Sequence, residues 1–279
     1  MAVKAIALDI DGTLTNDEKR ITPRTREALL AAEHAGIRLV LASGRPAQGL
    51  RALADELELS RFDGLLVSYN GAHVERAQTG EVLFQRTLPQ ECVVPLLEHL
   101  RAFDVIPWVT EGRVLYVEDA YRCEIFHRGR AMNIVKYERD ACGLLVHEVE
   151  SLEALCVQHP QSKVLVAGTD TYLAQHWEQM AAPFQDKLSC MFTADFFFEF
   201  MATGVSKGAA LAGALPALGI EAADVVAFGD AQNDVTMLTW AGVGVAMGNA
   251  TSEARAAADM ATVTNNEDGI AIALEQLLG

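Results

Sequence analysis

Short apolar segments alternate with helical patterns at both ends of the chain, and this alternation restricts the fold more than any other sequence feature. Apolar segments at residues 3–8, 37–42 and 64–68 are separated by helical patterns at 22–36 and 46–59. Each segment is almost continuously apolar, as expected for strands buried on both faces of a parallel sheet. The resulting β-α-β-α-β order predicts parallel strands covered by helices, so the fold class is α/β.

The same alternation returns near the end of the chain. Strands are predicted at 225–228 and 243–246, with helices at 206–218, 234–241, 252–258 and 269–278. Helix boundaries are clearest at 22–36, where Thr22 is a favourable N-cap, Pro23 occupies the first position and Gly36 ends the pattern. The two ends of the chain therefore predict one sheet.

The middle of the chain has a different pattern. Paired strands are predicted at 81–86, 105–109, 114–117, 163–167 and 188–192, with helices at 89–103 and 169–180, and a further strand follows at 196–201. Paired strands mixed with helices favour an α+β domain inserted into the first one. We therefore predict a core made of residues 1–80 and 196–279 and an inserted domain at 81–195.

Two aspartates follow the first predicted strand. Asp9 and Asp11 are two residues apart, so their side chains point in similar directions at the carboxyl end of that strand. This is where ligands bind in open α/β sheets. Neighbouring carboxylates repel each other unless a positive charge lies beside them. Mg²⁺, a hard cation that prefers oxygen ligands, is the candidate.

Other polar residues are predicted to meet these aspartates. Ser43 follows the second strand, Asp230, Asn233 and Asp234 follow a later strand, and Lys207 begins a helix. The carboxyl ends of parallel strands lie on one edge of a sheet, so these groups converge there. Carboxylates for a metal, together with a hydroxyl, an amide and a lysine for an anion, predict a site for Mg²⁺ and phosphate.

The same segments, in the same order, resemble the four motifs of the haloacid dehalogenase superfamily. These segments are DIDGT at 9–13, the serine-glycine-arginine turn at 43–45, Lys207 in VSKG, and GDAQND at 229–234. Three more segments, SYNGA at 68–72, GVGVAMGNA at 242–250 and TNNEDGIAIAL at 264–274, resemble the Cof-type phosphatase branch. The resemblance implies a Rossmann-like core and an inserted α+β cap of type IIB.

The resemblance also implies a role for each matching residue. Asp9 would attack the phosphorus of a phosphomonoester and form an aspartyl-phosphate, Asp11 would act as general acid and base, and Lys207 would balance negative charge. The implied magnesium site consists of Asp9, Asp11 through its backbone carbonyl, Asp230 and Asp234. The implied phosphate-binding residues are Gly12, Thr13, Ser43, Gly44 and Asn233.

Three further residues are candidate substrate contacts: Arg45, Asn70 and Glu199. Arg45 follows the motif serine, where an inter-domain contact or a surface position fits as well as a substrate contact. Glu199 follows an apolar segment and fits a structural role equally well. The rest of the substrate is expected to be recognised by the inserted domain.

The bulk properties of the chain exclude several functions. A net charge of −16 argues against nucleic acid or an anionic membrane surface as partner. No apolar segment reaches the roughly 18 residues of a membrane span. Five irregularly spaced cysteines without a C-x-x-C pair, and no signal-peptide pattern, lead us to expect free thiols in the cytoplasm. The sequence carries no pattern that sets an oligomeric state.

These observations predict a Mg²⁺-dependent phosphatase, a phosphoric monoester hydrolase acting on a small metabolite such as a sugar phosphate, a nucleotide or pyridoxal phosphate. One alternative is a phosphotransferase or mutase that uses the same aspartyl-phosphate. Another is a non-catalytic sensor of a phosphorylated ligand. The sensor is disfavoured because Asp9, Asp11, Lys207 and Asp230 are all present.

Overall fold

The computed structural model describes residues 3–279, and these form two compact units. The first, called the core unit, contains the described residues up to Gly44 together with Leu50–Gln85 and Ser206–Gly279. The second, called the cap unit, contains Arg45–Gly49 and Arg86–Val205. Each unit has its own sheet and its own apolar core.

The strands, in chain order, are β1 (Ala5–Asp9), β2 (Arg38–Ala42), β3 (Leu65–Ser68), β4 (His73–Arg76), β5 (Val82–Gln85), β6 (Ile106–Glu111), β7 (Val114–Val117), β8 (Glu124–His127), β9 (Arg130–Asn133), β10 (Leu145–Glu148), β11 (Lys163–Ala167), β12 (Leu188–Ala194), β13 (Phe197–Ala202), β14 (Val225–Gly229), β15 (Val243–Ala246) and β16 (Met260–Ala261). The α-helices are α1 (Pro23–His34), α2 (Arg51–Glu56), α3 (Gln90–Leu100), α4 (Ile134–Cys142), α5 (Leu152–Gln158), α6 (Asp170–Ala181), α7 (Lys207–Ala214), α8 (Val235–Trp240), α9 (Ser252–Ala257) and α10 (Gly269–Leu278).

The core unit is built on one sheet with the strand order β16-β15-β14-β1-β2-β3-β4-β5. Neighbouring strands from β16 to β3 are parallel, whereas β4 and β5 are antiparallel additions at one edge. The predicted α/β fold with a parallel core is therefore confirmed. Because β1 lies between β14 and β2, residues that follow these three strands become neighbours.

Alternate residues of β1 pack into apolar clusters on the two faces of this sheet. Ile6 and Leu8 belong to the apolar cluster that contains Leu29 of α1 and Ile270 of α10. Ala5 and Ala7 belong to the opposite cluster, which includes residues of α7 and α8. Both faces of the strand are thus buried, which explains its continuously apolar sequence.

The first helix begins as its sequence predicts. The side chain of Thr22 accepts a hydrogen bond from the backbone N–H of Thr25, and Pro23 is the first helical residue. The helix ends at His34, and Gly36 follows with a φ of +89°, a left-handed conformation that glycine adopts without strain. The capping prediction for this helix is confirmed.

The cap unit contains a six-stranded sheet with the order β10-β7-β6-β11-β13-β12 and a separate hairpin of β8 and β9. One apolar cluster joins this sheet to α3, α5 and α6, and a second involves α4. All five cysteines lie in this unit as free thiols. The paired strands and helices give the α+β character expected of the inserted segment.

Two strands belong to a different sheet from the one expected. β5 falls in the segment expected for the inserted domain, but it pairs with β4 in the core sheet. β13 falls in the segment expected for the core, but it pairs with β11 and β12 in the cap sheet. The compact units therefore change over at 85/86 and 205/206, whereas the domain division at 80/81 and 195/196 stays a prediction.

No helix within residues 3–279 is both long and apolar enough to cross a membrane.

Glu33 is an unusual residue in the last turn of α1. Its side chain is buried, and neither carboxyl oxygen has a hydrogen-bond partner. Burial, together with repulsion from Glu58, raises its pKa from about 4.5 to about 8. Between these two pH values the folded chain holds a proton that the unfolded chain releases.

We therefore expect the free energy of unfolding to fall as the pH rises from about 4.5 to 8, because deprotonation favours the unfolded chain. Glu33→Gln should remove this loss and stabilise the protein at pH 8 by a few kcal/mol, at roughly 1.4 kcal/mol for each pKa unit. Urea denaturation at pH 5 and pH 8 measures the difference. Glu27→Gln, at an exposed position of the same helix, is the control and should change little. Equal effects of the two variants would contradict the assignment.

Candidate active site

Three aspartates meet at the carboxyl ends of the central strands. Asp9 is the last residue of β1, Asp230 follows β14 directly, and Asp234 ends the short turn before α8. One carboxylate oxygen from each of the three lies within 4.8 Å of the other two. The pairing of β1 with β14 brings Asp9 and Asp230 together. The paired positions Ala5 and Val225 are 220 residues apart in the sequence.

Lys207 joins two of these aspartates. Its Nζ lies 2.5 Å from Oδ1 of Asp9 and 2.6 Å from Oδ1 of Asp234, and the side chain is completely buried. The lysine is the first residue of α7, which Ser206 caps by accepting from the backbone N–H of Ala209. The ammonium group is thus fixed by two charged hydrogen bonds and is itself shielded from water.

The glycine after this lysine permits close packing of α7 on α8. A Cβ at Gly208 would lie 2.6 Å from the backbone carbonyl carbon of Thr236, so a larger residue would push the two helices apart. The VSKG sequence therefore combines a cap, a charge and a packing requirement in adjacent positions.

Asp234 links the lysine to the backbone of the loop after β14. Its Oδ1 accepts from Lys207, and its Oδ2 accepts from the backbone N–H groups of Asp230 and Ala231, both at 3.0 Å. Both oxygens of Asp234 are thus engaged by donors. This side chain fixes the position of Asp230 in the loop.

Asp230 is held from the other side by the turn after β1. Thr13 donates its hydroxyl to Asp230 Oδ1 at 2.8 Å. A Cβ at Gly12 would lie 2.5 Å from Asp230 Oδ2, and the φ of Gly12 is +90°. Only glycine fits here, which explains the Asp-Gly-Thr sequence.

The charges in this group do not balance. Burial and the nearby Asp234 raise the pKa of Asp9, although Lys207 opposes the shift. Burial also raises the pKa of Asp230. Burial alone would lower the pKa of Lys207, but the carboxylates of Asp234 and Asp9 together outweigh it and raise the pKa. Three carboxylates with one ammonium leave an excess of negative charge that a cation would neutralise.

The donor set fits a hard divalent cation. Carboxylate oxygens are the ligands that Mg²⁺ prefers. Because both oxygens of Asp234 already accept hydrogen bonds, Asp9 and Asp230 are the carboxylates best able to contact such an ion.

Asp11 takes a different direction. Its carboxylate is exposed and lies 2.8 Å from Nζ of Lys19, a residue with a left-handed φ of +61°. Among the described residues, the group of three close carboxylates does not include its side chain. The expected metal contact of Asp11 is its backbone carbonyl, and that assignment stays a prediction.

The remaining predicted phosphate ligands of the core unit cluster around Asn70. The backbone N–H of Asn70 donates to the carbonyl of Ser43 at 2.9 Å, and Asn233 donates its side-chain amide to Asn70 Oδ1 at 3.1 Å. A Cβ at Gly44 would lie 3.1 Å from the Asn70 amide. Asn70 has a φ of +54° within a buried turn, a strained conformation of the kind that concentrates at functional sites.

Arg45 and Glu199, the other candidate substrate contacts, belong to the cap unit. Glu199 forms a buried ion pair of 2.5 Å with Lys163 and accepts a hydrogen bond from Thr193. Its second oxygen, Oε2, is buried without a partner. Arg45 and Lys163 both act to lower the pKa of Glu138, although burial keeps that pKa raised. A charged cluster therefore lies within the cap unit.

Two residues of the site were missed by sequence reasoning. Asn249 donates to the carbonyl of Gly12 at 2.8 Å, and Lys19 pairs with Asp11. Asn249 lies in the 242–250 segment that resembles the Cof-type branch, so a signal was available for it. No sequence pattern pointed to Lys19, because its contact with Asp11 depends on the left-handed backbone conformation at Lys19.

The sequence profile of the haloacid dehalogenase-like hydrolases matches residues 6–274. This chain belongs to that family. Sequence relatives support the same assignment. A candidate phosphatase of Bacillus subtilis is 32% identical over 99% of this chain and 98% of its own length. A 5-amino-6-(5-phospho-D-ribitylamino)uracil phosphatase of the same bacterium is 30% identical over 98% of this chain and 94% of its own length.

Solved structures agree with the family assignment. A haloacid dehalogenase-like hydrolase from Bacteroides thetaiotaomicron is 34% identical with a TM-score of 0.88, and the match covers 99% of each chain. A sugar phosphatase of subclass IIB is 25% identical with a TM-score of 0.78 over 99% of each chain. The predicted family and its Cof-type branch are confirmed, and so is the enzyme class of phosphoric monoester hydrolase.

Replacing Lys207 by methionine should destabilise this hydrolase by roughly 3–5 kcal/mol, because Asp9 and Asp234 would remain buried without their ammonium partner. Urea denaturation at pH 7 measures the loss. Lys4→Met is the matched control, since Lys4 forms an exposed ion pair with Asp224 that should contribute at most about 1 kcal/mol. A loss of similar size in both variants would show that Lys207 does not neutralise a buried cluster.

Proposed function

We propose that this hydrolase is a Mg²⁺-dependent phosphatase of small phosphomonoesters that acts through an aspartyl-phosphate on Asp9. The observation that carries the proposal is the buried group of Asp9, Asp230 and Asp234 around Lys207. Its excess negative charge suits a divalent cation, and its position at the carboxyl ends of parallel strands suits a ligand.

Asp9 and Asp230 would hold the Mg²⁺, with Asp234 fixing the loop that carries Asp230. The bound ion would supply positive charge that lets a phosphate dianion approach a carboxylate. The raised pKa values of Asp9 and Asp230 support this role, because burial and repulsion from Asp234 disfavour both carboxylates and a bound cation would stabilise them.

Asp9 is the proposed nucleophile. A carboxylate oxygen forms a bond to phosphorus while the ester oxygen leaves, and water later cleaves the acyl-phosphate to release inorganic phosphate. Covalent capture divides one difficult displacement into two easier ones. Lys207 donates to Oδ1 of Asp9 and so holds the nucleophile in one orientation while stabilising negative charge beside it.

Asp11 is the proposed general acid. It would give a proton to the leaving alkoxide and later take one from the attacking water. Lys19 lies 2.8 Å from its carboxylate, which places this pair at the exposed side of the turn after β1. A side chain with access to solvent can exchange its proton between the two half-reactions.

Ser43, Gly44, Asn233 and the backbone N–H groups of Gly12 and Thr13 would bind the phosphoryl oxygens. The contact between Asn233 and Asn70 supports this arrangement, since it orients the amide of Asn233. The strained turn at Asn70 would serve to hold that amide in place.

The proposed substrates are sugar phosphates, nucleotides or pyridoxal phosphate. The names of two similar proteins support the first class, since one acts on a phosphorylated ribityl compound and the other is a sugar phosphatase. Glu199 and Arg45 would contribute to recognition from the cap unit, where Glu199 is part of a charged cluster. A cytoplasmic location and the absence of nucleic-acid partners stay predictions.

Removal of metal should stop catalysis. We expect EDTA to abolish phosphate release from a panel of phosphorylated metabolites, and Mg²⁺ to restore it. Mg²⁺ should also raise the melting temperature of the wild-type protein, because a ligand of the folded state stabilises it, but should do so much less for Asp230→Asn. Asp9→Asn is the activity control and should lose turnover by roughly 10⁴-fold or more.

Activity that is indifferent to EDTA would contradict the metal assignment, and turnover retained in Asp9→Asn would contradict the covalent mechanism. Phosphate that appears on an added alcohol rather than in water would favour a phosphotransferase.

Asp11→Asn should reduce turnover of an alkyl phosphate by about 10²–10⁴-fold, the usual contribution of general acid catalysis. The loss should be much smaller for p-nitrophenyl phosphate, because nitrophenolate leaves without a proton. Steady-state rates on both substrates, measured with saturating Mg²⁺, provide the comparison. An equal loss on both would indicate that Asp11 acts by positioning rather than by proton transfer.

A further inference from the structure

The sheet of the cap unit ends in a strand that is paired on one side. β12 is the last strand in the order β10-β7-β6-β11-β13-β12, and within residues 3–279 β13 is the only strand that pairs with it. The backbone N–H and C=O groups along the free side of an edge strand are available to another strand. Edge strands that stay exposed to solvent commonly carry charged residues or proline, which prevent such pairing.

β12 has neither kind of protective residue. Its seven residues, LSCMFTA, include no charged side chain and no proline. A bulge between Phe192 and Ala194 interrupts the ladder near the end of the strand, but the residues from Leu188 to Phe192 pair regularly with β13. A regular and uncharged edge of this kind favours pairing with another strand.

Apolar surface lies beside this edge. Phe192 is 41% exposed, and its ring centroid lies 6.3 Å from that of Trp177 on α6, which is 36% exposed. The Phe192 ring also contacts Phe198 of β13, with centroids 5.0 Å apart. Two exposed aromatic side chains next to a free edge give a partner apolar surface to cover.

The charges at the two ends of β12 are complementary in an antiparallel pair. Lys187 comes directly before the strand, Asp195 comes directly after it, and both are exposed. Among residues 3–279, neither of them forms a salt bridge. When two copies of β12 run antiparallel, the start of one lies beside the end of the other. Lys187 of each copy then lies near Asp195 of the other, and two-fold symmetry forms this ion pair twice.

The same charges disfavour a parallel pair. A parallel arrangement brings the two copies of Lys187 together at one end and the two copies of Asp195 together at the other, and like charges that face each other across strands are destabilising. The ends of β12 therefore favour a second copy of this chain, in one direction, as the partner of its free side.

We propose that two copies of this chain associate through β12 into a two-fold symmetric dimer, in which the two cap sheets join as one continuous sheet. The two strands run antiparallel and are centred near Met191, which is midway between Lys187 and Asp195. Backbone hydrogen bonds supply the attachment, as in other associations that extend a sheet. The Lys187–Asp195 pairs fix the direction, and Phe192 becomes covered. The interface belongs to the cap unit and does not depend on the proposed phosphatase function.

Analytical ultracentrifugation of the full-length protein tests this association, at up to about 100 μM protein and about 0.15 M salt, where the Debye length of roughly 8 Å limits repulsion from the net charge. The wild type should form a dimer. Lys187→Asp should weaken the dimer by at least about tenfold, because two attractive pairs become repulsive. Adding Asp195→Lys to the same chain restores both pairs with reversed sign, and should return the dissociation constant to within about threefold of wild type.

Arg113→Asp is the matched control for the change in charge. Arg113 is exposed and lies in the turn between β6 and β7, away from the β12 edge in the strand order of the cap sheet. This variant should dimerise like the wild type. Thermal melting checks that every variant is folded.

Cross-linking with a carbodiimide, which joins an amine directly to a carboxylate, identifies the contact. Lys187 and Asp195 of one chain stand at opposite ends of β12, roughly 25 Å apart at about 3.3 Å for each residue. An amide bond between them can therefore form only between two copies. A mixture of unlabelled and isotope-labelled protein should give a linked peptide pair that contains one peptide of each kind.

Four results overturn the proposal. They are a monomer at every concentration, equal weakening of the dimer by Lys187→Asp and Arg113→Asp, failure of Asp195→Lys to restore the dimer of Lys187→Asp, and a dimer without the mixed Lys187–Asp195 cross-link. The cross-link is measured on the wild type, so the proposal remains testable even if a variant fails to fold.

Discussion

The ammonium group of Lys207 is the interaction on which the site depends. It is the only partner in the described structure that brings a full positive charge between Asp9 and Asp234. Removing charges from water is costly, and the attraction between them offsets that cost only when the geometry is good and the other lone pairs are satisfied. The hydrogen bonds to Asp234 from two backbone N–H groups meet this condition.

This arrangement divides the aspartates into two kinds. Both oxygens of Asp234 accept hydrogen bonds, so this residue holds the loop in place. Asp9 and Asp230 can still contact a cation and a substrate. The positions of both kinds of aspartate depend on how α7 packs against the sheet and against α8. Alanines on one face of β1 allow α7 to approach the sheet, and Gly208 allows the same helix to approach α8. Precision at the charged site thus originates in small residues that carry no chemistry themselves.

Much of the core could be predicted from the sequence, because buried parallel strands and capped helices leave strong local patterns. The convergence of Asp9, Asp230 and Lys207 followed from strand ends and topology alone. The pairing of strands was harder to predict from the sequence. β5 and β13 were recognised as strands, but periodicity does not reveal which sheet a strand joins. The burial of Glu33 could not be predicted either, since a glutamate in the last turn of a helix usually points to solvent.

The order of strands in the core sheet has a consequence for biosynthesis. β1 leaves the ribosome first, yet its neighbour β14 is translated only after the whole cap unit has been made. The contiguous segment Arg86–Val205 can collapse on its own sheet while the nascent β1, already beside β2, still lacks β14 on its other side. Chaperones that shield exposed apolar strands would therefore act on the amino-terminal segment during this interval.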